Sequence, residues 1–309
     1  MTVPTAYGER AFDAVPAALP LSRRSVSWKV MAEPVAFLGG GRALLLQVAH
    51  PKVGAGVEEH SSYLRDPWAR LFRTVDVMAK LSFGTPQVSE RQVRLLQRMH
   101  HRVVGTTSEG DPYDASDPTL LLWVWATLID TGLLQYERVL GPLTVGEREQ
   151  YYEESQLVAH ACGVPEDLCP PTWRDFETYM KGVVAADLKV TTAARAVAHA
   201  AMVPPLPWPL RYVAAGALQL VTAGTLPASL RDAFGLRWDE HRARRLDLFF
   251  AASRVGLRLT PRPMRERGFR DAVESRRPLR LPRLQRRGAA LTARRKASFE
   301  RQPPGVKPR

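Results

Sequence analysis

The stretch that decides the fold runs from Asp117 to Val139 and reads DPTLLLWVWATLIDTGLLQYERV. Asp117 followed by Pro118 is a helix start signal, because an aspartate caps the free N–H groups of a first turn and a proline fits the first helical position. From Leu120 to Ile129 the helix would be apolar on every side, which is typical of a helix at the centre of a protein. We therefore predict an all-α protein built around this segment.

Similar signals divide the rest of the chain into helices joined by short connections. Asp66-Pro67 repeats the start signal, and Thr144 with Glu147 has the spacing of a capping box. No segment alternates apolar and polar residues over a sustained length, so a single compact helical bundle is favoured. The predicted helices cover about 66–83, 89–104, 117–139, 144–162, 172–186, 191–202, 208–223, 227–234 and 239–258.

Three adjacent glycines, Gly39 to Gly41, interrupt a further helical pattern between Glu33 and Gln47. Each glycine inside a helix costs roughly 1 kcal/mol relative to alanine. Either the helix begins after them, or another helix or a flat ligand approaches the backbone closely at this point.

The formal charge of +13 is concentrated at one end of the chain. Residues 262–309 contain 16 Lys and Arg against 4 Asp and Glu, whereas the preceding 261 residues contain 28 against 27. We therefore expect an irregular arm at 1–27, a helical domain at 28–260, and a basic, largely disordered tail at 261–309 with at most short helices near 267–275 and 285–300. The nearly neutral body does not support a specific nucleic-acid-binding face.

Cysteine usage and hydropathy exclude several classes of protein. The two cysteines, Cys162 and Cys169, form no CxxC pair, which argues against a disulfide framework or a zinc ribbon. The longest apolar stretches, around 120–129 and 213–221, are shorter than the ~20 residues that span a bilayer. No signal-peptide pattern follows Arg23-Arg24, and we expect a cytoplasmic protein. Walker, GxGxxG and GxSxG motifs are missing from the sequence, so nucleotide binding and serine-hydrolase chemistry lose their usual support.

Helical periodicity places two adjacent histidines on different faces of one helix. On the predicted 89–104 helix, His100 lies in line with Val93 and Leu96, whereas His101 lies with Arg94 on the polar face. His100 should therefore point inward and His101 outward. An inward histidine is either a core residue with satisfied nitrogens or an axial ligand to a haem iron, and helical phase alone leaves both interpretations open.

The preceding helix places polar residues beside an apolar arc. Arg70 and Thr74 share a stripe that borders Leu71, Val75 and Met78, and Arg73 lies one step toward the polar side, near Asp76 and Lys80. Such arginines form ion pairs with buried acids or bind an anionic or oxygen-bearing ligand.

Other candidates carry weaker signals. Trp123 and Trp125 could wall a pocket for a flat or hydrophobic ligand, or could be ordinary core. His50 and His60 lie within eleven residues of each other together with Glu58 and Glu59, but their spacing matches no standard metal motif.

As an ordered series, these segments resemble one family, over about residues 28–260. It is the family that includes the bacterial latex-clearing rubber oxygenases and the fungal oxygenase acting on the mycophenolic acid side chain. The matching segments are 28–30, 33–34, 38–51, 56–57, 60–61, 66–67, 70–74, 100–105 and 117–130.

The resemblance implies a helical fold with a globin-like core that holds haem b. It implies that His100 is the proximal ligand, and that Arg70, Arg73 and Thr74 match an Arg-x-x-Lys-Thr segment of the haem pocket. The lysine of that segment is Arg73 here, and many short relatives have a histidine at Trp125. These two departures concern residues that would act in catalysis.

Together these observations predict a haem-dependent oxygenase whose partners are dioxygen and a small hydrophobic substrate, such as an isoprenoid. Arg70 and Thr74 would donate hydrogen bonds to oxygen or to the haem propionates, and Glu59 or Glu58 would remove an allylic proton. The alternatives are a non-catalytic haem-binding protein, and a helical interaction protein without cofactor whose basic tail contacts a membrane surface peripherally.

Overall fold

The computed structural model describes residues 19–60 and 66–275, and most of these residues are helical. The all-α prediction is confirmed. Short 3₁₀ segments cover Pro34–Gly39 and Glu166–Leu168. The described helices are α1 (Val26–Met31), α2 (Gly40–Ala49), α3 (Pro51–His60), α4 (Pro67–Phe83), α5 (Pro86–His100), α6 (Pro118–Leu140), α7 (Val145–Ala161), α8 (Trp173–Ala186), α9 (Thr192–Ala201), α10 (Leu210–Thr225), α11 (Ala228–Ala233), α12 (Glu240–Leu259), α13 (Arg262–Arg265) and α14 (Arg267–Glu274).

Helix α6 is the centre of the fold, as its composition predicts. It contacts α1, α2, α7, α12 and the 3₁₀ segment before α2. Its apolar side chains belong to the main hydrophobic core, which also contains residues of α2, α7, α8 and α9. A helix that is apolar on every side needs partners on every side, and these neighbours provide them.

The three glycines mark places where other helices approach the backbone closely. The 3₁₀ segment ends at Gly39 and α2 begins at Gly40, so the glycines lie at the junction of two helical segments. A Cβ atom at Gly39 would overlap the side chain of Thr131 on α6, and one at Gly41 would overlap Thr222 on α10. Of the explanations that the sequence left open, close packing of helices accounts for the glycines.

The helix start signals act as their chemistry predicts. The Asp66 carboxylate accepts a hydrogen bond from the Ala69 N–H at 2.9 Å, and Asp117 caps α6. The complete capping box of Thr144 and Glu147 opens α7. These caps satisfy N–H groups that have no partner inside their own helix.

A two-stranded hairpin follows α5 and was not expected from the sequence. Helix α5 ends at His100, four residues before the predicted end at Val104. Val104 instead begins β1 (Val104–Thr106), which pairs antiparallel with β2 (Pro112–Asp114). Gly110 has a φ of 95° in the connecting turn, a conformation that favours glycine. Strands of three residues are too short to show a period-two pattern.

The beginning of the predicted tail packs on the helical domain. Phe269 and Val273 of α14 are buried against Trp28 and Phe83, and the guanidinium of Arg265 lies 3.1 Å from the buried carboxylate of Glu33. The packed body therefore extends past residue 260, where the sequence pattern placed its end. Residues 276–309, most of the predicted arm and the helix expected near 285–300 lie outside the described residues.

No helix in the described ranges combines the length and apolar character needed to cross a membrane.

Candidate functional site

The C-terminal end of α5 places His100 and His101 in different surroundings. His100 is half-buried and His101 is exposed, as helical phase predicts. The Nδ1 atom of His100 is fully covered and has no hydrogen-bond partner among the described residues. A covered ring nitrogen without a partner is uncommon in proteins and calls for an explanation such as an absent ligand.

The surroundings of His100 keep its imidazole neutral. Burial, the positive charge of Arg70 and the neighbouring His101 together lower the pKa of His100 to about 4, against the opposing charge of Asp114 on β2. At neutral pH the ring therefore carries no charge and has a lone pair available. A neutral imidazole with a free lone pair is the form that binds a metal ion.

Helix α4 packs against α5 and brings Arg70 into the electrostatic surroundings of His100. Thr74 lies one turn further along α4, and its hydroxyl donates a hydrogen bond to the Arg70 carbonyl at 3.1 Å. Since that bond uses the only hydroxyl hydrogen, Thr74 offers an acceptor in this conformation. Arg73 is exposed. The structure therefore places Arg70 and Thr74, but not Arg73, on the inner side of α4.

The sequence-based prediction of the polar face of α4 is wrong for Asp76 and Lys80. Asp76 and Lys80 were placed near Arg73 on the wet face, but both are buried and form an ion pair with Nζ–O distances of 2.8 and 3.0 Å. The reason is tertiary, because α14 packs on α4 and covers this face. Single-helix periodicity does not reveal such a covering element.

Glu59 lies at the end of α3, beside the hairpin that follows His100. Its carboxylate accepts a hydrogen bond from the Tyr113 hydroxyl at 2.5 Å, and the His60 ring lies 3.8 Å from the same oxygen. Burial and this hydrogen bond raise the pKa of Tyr113, so the phenol keeps its proton. Glu58 is exposed next to Glu59, and both line a cavity of about 100 Å³ that also includes Glu109.

The β1–β2 hairpin contacts both the end of α5 at His100 and the end of α3 at Glu59. The Val103 N–H donates to the His100 carbonyl at 2.8 Å, and the Ala115 N–H donates to the Val103 carbonyl at 2.9 Å. His60 hydrogen-bonds to the Val104 carbonyl at 3.0 Å. Tyr113 was missed by sequence reasoning, because only the hairpin pairing brings it to Glu59.

The two tryptophans of α6 are core residues. Trp123 and Trp125 are 1% and 3% exposed. The indole N–H of Trp123 donates to the Leu46 carbonyl at 3.3 Å, and that of Trp125 donates to the Ser155 carbonyl at 3.1 Å. Trp125 also packs against the rings of Tyr152 and Phe176. The expectation that these indoles wall a substrate pocket is therefore not met, and the core interpretation applies.

The cluster of His50, His60, Glu58 and Glu59 does not form a metal centre. In the parts of the chain that the structure describes, no three His, Cys, Asp or Glu side chains are arranged to hold a metal ion. His50 is half-buried with its Nδ1 covered, and burial lowers its pKa. An iron porphyrin needs less from the protein, since the macrocycle supplies four ligands and one imidazole completes the proximal side.

The donor chemistry around His100 fits such a group. The imidazole is neutral, one of its nitrogens lacks a partner, and a permanent cation lies nearby in Arg70. The apolar residues Leu71, Val75 and Met78 on α4 remain only half-buried. The cavity beside Glu59 is lined by residues other than His100.

Comparison with known proteins identifies the family of this chain. Residues 28–255 match the family described as "ER-bound oxygenase mpaB/B'/Rubber oxygenase, catalytic domain". Relatives include the uncharacterized proteins Rv2237 of Mycobacterium tuberculosis and Mb2261 of Mycobacterium bovis. Each is 30% identical over 225 residues, which cover 71% of this chain and 87% of the relative. No solved structure matches the chain.

The family match begins in α1 and ends in α12, so it includes the central helix, His100, Arg70 and Glu59. The resemblance deduced from the ordered motifs is confirmed. The chain belongs to the mpaB and rubber oxygenase catalytic-domain family, an oxygenase family.

Proposed function

We propose that this protein is a haem b-dependent oxygenase that acts on a small hydrophobic substrate with dioxygen, and that His100 is the protein ligand of the haem iron. The observation that carries the proposal is the half-buried, neutral imidazole of His100, whose covered Nδ1 lacks a partner beside Arg70. Bound haem would supply the iron chemistry that activates dioxygen.

Arg70 would orient the cofactor. Its guanidinium is always charged and offers several N–H donors, which suits a haem propionate. Thr74 already donates its hydroxyl hydrogen to the Arg70 carbonyl, so it would hold the backbone of α4 in place and offer only acceptor positions. The donor role that the sequence assigned to both residues thus falls to Arg70. Arg73 is exposed on α4 and has no role in this arrangement.

Glu59 is the candidate base. A carboxylate that removes an allylic proton must be accessible to the substrate, and Glu59 is exposed beside a small cavity. The Tyr113 hydroxyl would position one carboxylate oxygen and keep its own proton, because its pKa is raised. The other oxygen of Glu59 would then receive the proton from the substrate.

The substrate would be held by apolar residues of α4 rather than by the α6 tryptophans. Leu71, Val75 and Met78 are half-buried and lie on the stripe next to Arg70 and Thr74. Removing their remaining exposed surface from water would stabilise a bound apolar molecule by about 25 cal/mol per Å². A small isoprenoid or similar hydrocarbon has the chemistry that such a surface binds.

The proposal is tested by the absorption spectrum of haem-reconstituted protein. We expect a Soret band in the wild type and in His101→Ala, because His101 is exposed, and a strong loss or shift of that band in His100→Ala. His101→Ala is a matched control, since it removes the adjacent imidazole from the same helix end. Equal Soret bands in all three proteins would remove His100 from the ligand role.

Oxygen consumption separates an oxygenase from a non-catalytic haem-binding protein. Wild-type protein with a Soret band is supplied with a panel of terpenoids, and dissolved oxygen is recorded with an electrode. Substrate-dependent consumption that is lost in Glu59→Gln, with the Soret band unchanged, supports the proposed base. A normal Soret band without oxygen consumption on any substrate would favour haem binding alone.

A further inference from the structure

A second cavity, of about 400 Å³, has no lining residue in common with the cavity beside Glu59 and is strongly basic. It is bordered by the start of α1, by the first turn of α7 and by the α13–α14 segment. Its volume falls in the range of small-molecule sites. The cationic side chains that line it are Arg23, Arg24, Lys29, Arg262 and Arg270.

The two carboxylates that line this cavity are already engaged. Glu147 accepts a hydrogen bond from Lys29 at 2.6 Å, and its bonds to Lys29 and to the Thr144 backbone hold its pKa at about 2. Glu266 pairs with Arg262 and accepts the indole N–H of Trp28 at 3.3 Å. Neither carboxylate is therefore available to neutralise the remaining arginines.

The positive charges of Arg23, Arg24 and Arg270 are not neutralised by carboxylates of the cavity wall. Arg23 pairs at 2.7 Å with Glu274, which lies outside the lining. The guanidinium of Arg270 donates to the Pro263 carbonyl at 2.9 Å, which is a neutral acceptor. Arg24 has no side-chain partner among the described residues. Five cations and two carboxylates thus leave the cavity with an excess of positive charge.

An aromatic contact and a buried ion pair bring these cations together. Phe269 lies in edge-to-face contact with Trp28, with ring centroids 5.3 Å apart, and Arg265 is anchored on the buried carboxylate of Glu33. These contacts hold α13 and α14 against α1 and place Arg262 and Arg270 opposite Arg23 and Arg24. Concave sites with buried walls focus the field of such charges and attract anions.

We propose that this cavity binds the phosphate or diphosphate group of a small anionic ligand. Guanidinium groups from two sides of a concave site match the geometry of phosphate oxygens, which accept two parallel hydrogen bonds from one arginine. The Trp28 indole forms part of the wall, and the Arg23 guanidinium lies 5.4 Å from its ring centroid. The site is separate from His100 and does not depend on the oxygenase proposal.

The proposal is tested by calorimetric titration of the full chain with sodium pyrophosphate at fixed ionic strength. We expect the double variant Arg24→Gln/Arg270→Gln to bind at least tenfold more weakly than the wild type. Two controls remove the same charge elsewhere: Arg245→Gln/Arg258→Gln on the exposed face of α12, and Arg286→Gln/Arg287→Gln beyond residue 275. Both should retain wild-type affinity.

A single charge reversal, Arg24→Glu, guards against a folding defect, because Arg24 is exposed and its side chain forms no hydrogen bond or ion pair with the described residues. It should weaken pyrophosphate binding at least tenfold while the thermal unfolding midpoint stays unchanged. Equal affinity in the wild type and both cavity variants, or no measurable binding to wild type, would overturn the proposal.

Phosphate groups also occur on lipids. A second experiment distinguishes a lipid headgroup from a free phosphorylated molecule. Phosphatidylcholine vesicles with and without phosphatidic acid are sedimented with wild-type protein and with Arg24→Glu. Binding that requires both phosphatidic acid and Arg24 identifies a lipid headgroup as the source. Pyrophosphate binding without Arg24-dependent sedimentation identifies a free phosphorylated molecule.

Discussion

His100 and His101 are adjacent in the chain, but only His100 points toward the interior of the protein. The difference follows from the rotation of about 100° between neighbouring residues in a helix, which turns one side chain inward and the other outward. Burial and the charge of Arg70 then keep the inner imidazole neutral. The same rotation makes His101→Ala a suitable control for His100→Ala.

Gly41 tests how tightly the helices approach the start of α2. An added Cβ would overlap Thr222 Oγ1 and lie 3.1 Å from Met202 Cε. Thr222 is completely buried and cannot move toward solvent. We expect Gly41→Ala to lower the free energy of unfolding by about 1–3 kcal/mol, as overpacking does in closely packed cores. Urea denaturation followed by circular dichroism measures the change.

Gly182 provides the matched control. It lies inside α8, is exposed, and has open space where a Cβ would be added. Gly182→Ala should raise the free energy of unfolding by about 0.5–1 kcal/mol, because alanine loses less backbone entropy in a helix. A stabilising effect of Gly41→Ala similar to that of Gly182→Ala would contradict the close approach of α10.

At the scale of elements, α4 performs two tasks on its two faces. Its N-terminal half places Arg70 and Thr74 on the side of α5. Its C-terminal half carries the ion pair of Asp76 and Lys80, which is buried where α14 packs on the helix. The orientation of the candidate site residues therefore depends on how α4 is held at its other end.

The ion pair of α4 should be much more important for stability than its counterpart on α5. We expect Lys80→Met to lower the free energy of unfolding by about 3–5 kcal/mol, because the buried carboxylate of Asp76 loses its main compensating charge. Glu90 and Arg94 on α5 have the same i, i+4 spacing but are exposed. Arg94→Met should change the free energy by less than about 1 kcal/mol.

Chemical denaturation of both variants at neutral pH checks this comparison. If Lys80→Met were no more destabilising than Arg94→Met, the covering of α4 by α14 would be in doubt.

The sequence predicted those elements whose signals are local. Asp66, Asp117 and Thr144 cap helices with their own side chains, so each start could be located from a few residues. The inward direction of His100 also follows from local periodicity. By contrast, the burial of Asp76 and Lys80 depends on a helix nearly 200 positions later in the chain. No pattern within α4 contains that information.

The candidate site was predictable only in part, for the same reason. Glu59 and His100 lie on helices whose patterns are clear, but Tyr113 reaches Glu59 through a hairpin of two three-residue strands. Trp125 illustrates the opposite error, because an apolar helix predicts burial equally well for a pocket wall and for solid core. Only the contacts with Tyr152 and Phe176 decide between them.

At the scale of the whole molecule, the basic C-terminal region is not uniform. Its first part, α13 and α14, packs on α1 and α4 and contributes Arg262 and Arg270 to the basic cavity. The nearly neutral body and the basic segment are therefore one packed unit up to residue 275. Two arginines of that segment therefore have a defined place in the fold, at the wall of the basic cavity.

The extent of the packed unit can be tested by comparing two shortened chains, one ending at residue 260 and one ending at 275. Both lack residues 276–309, so their difference isolates α13 and α14. The shorter chain would expose Trp28 and Phe83 and leave the carboxylate of Glu33 without Arg265. Since truncating a buried aromatic contact alone costs about 3–5 kcal/mol, we expect the shorter chain to be less stable by at least about 3 kcal/mol.

Thermal unfolding and urea denaturation of the two chains measure this difference. Burial already raises the pKa of Glu33, and Arg265 opposes that effect, so the shorter chain should also bind a proton at Glu33 more readily. Its stability deficit should therefore shrink as the pH falls and the isolated carboxylate becomes neutral. Equal stability of the two chains at neutral pH would mean that the fold is complete at residue 260 and that α13 and α14 contribute no stability to it.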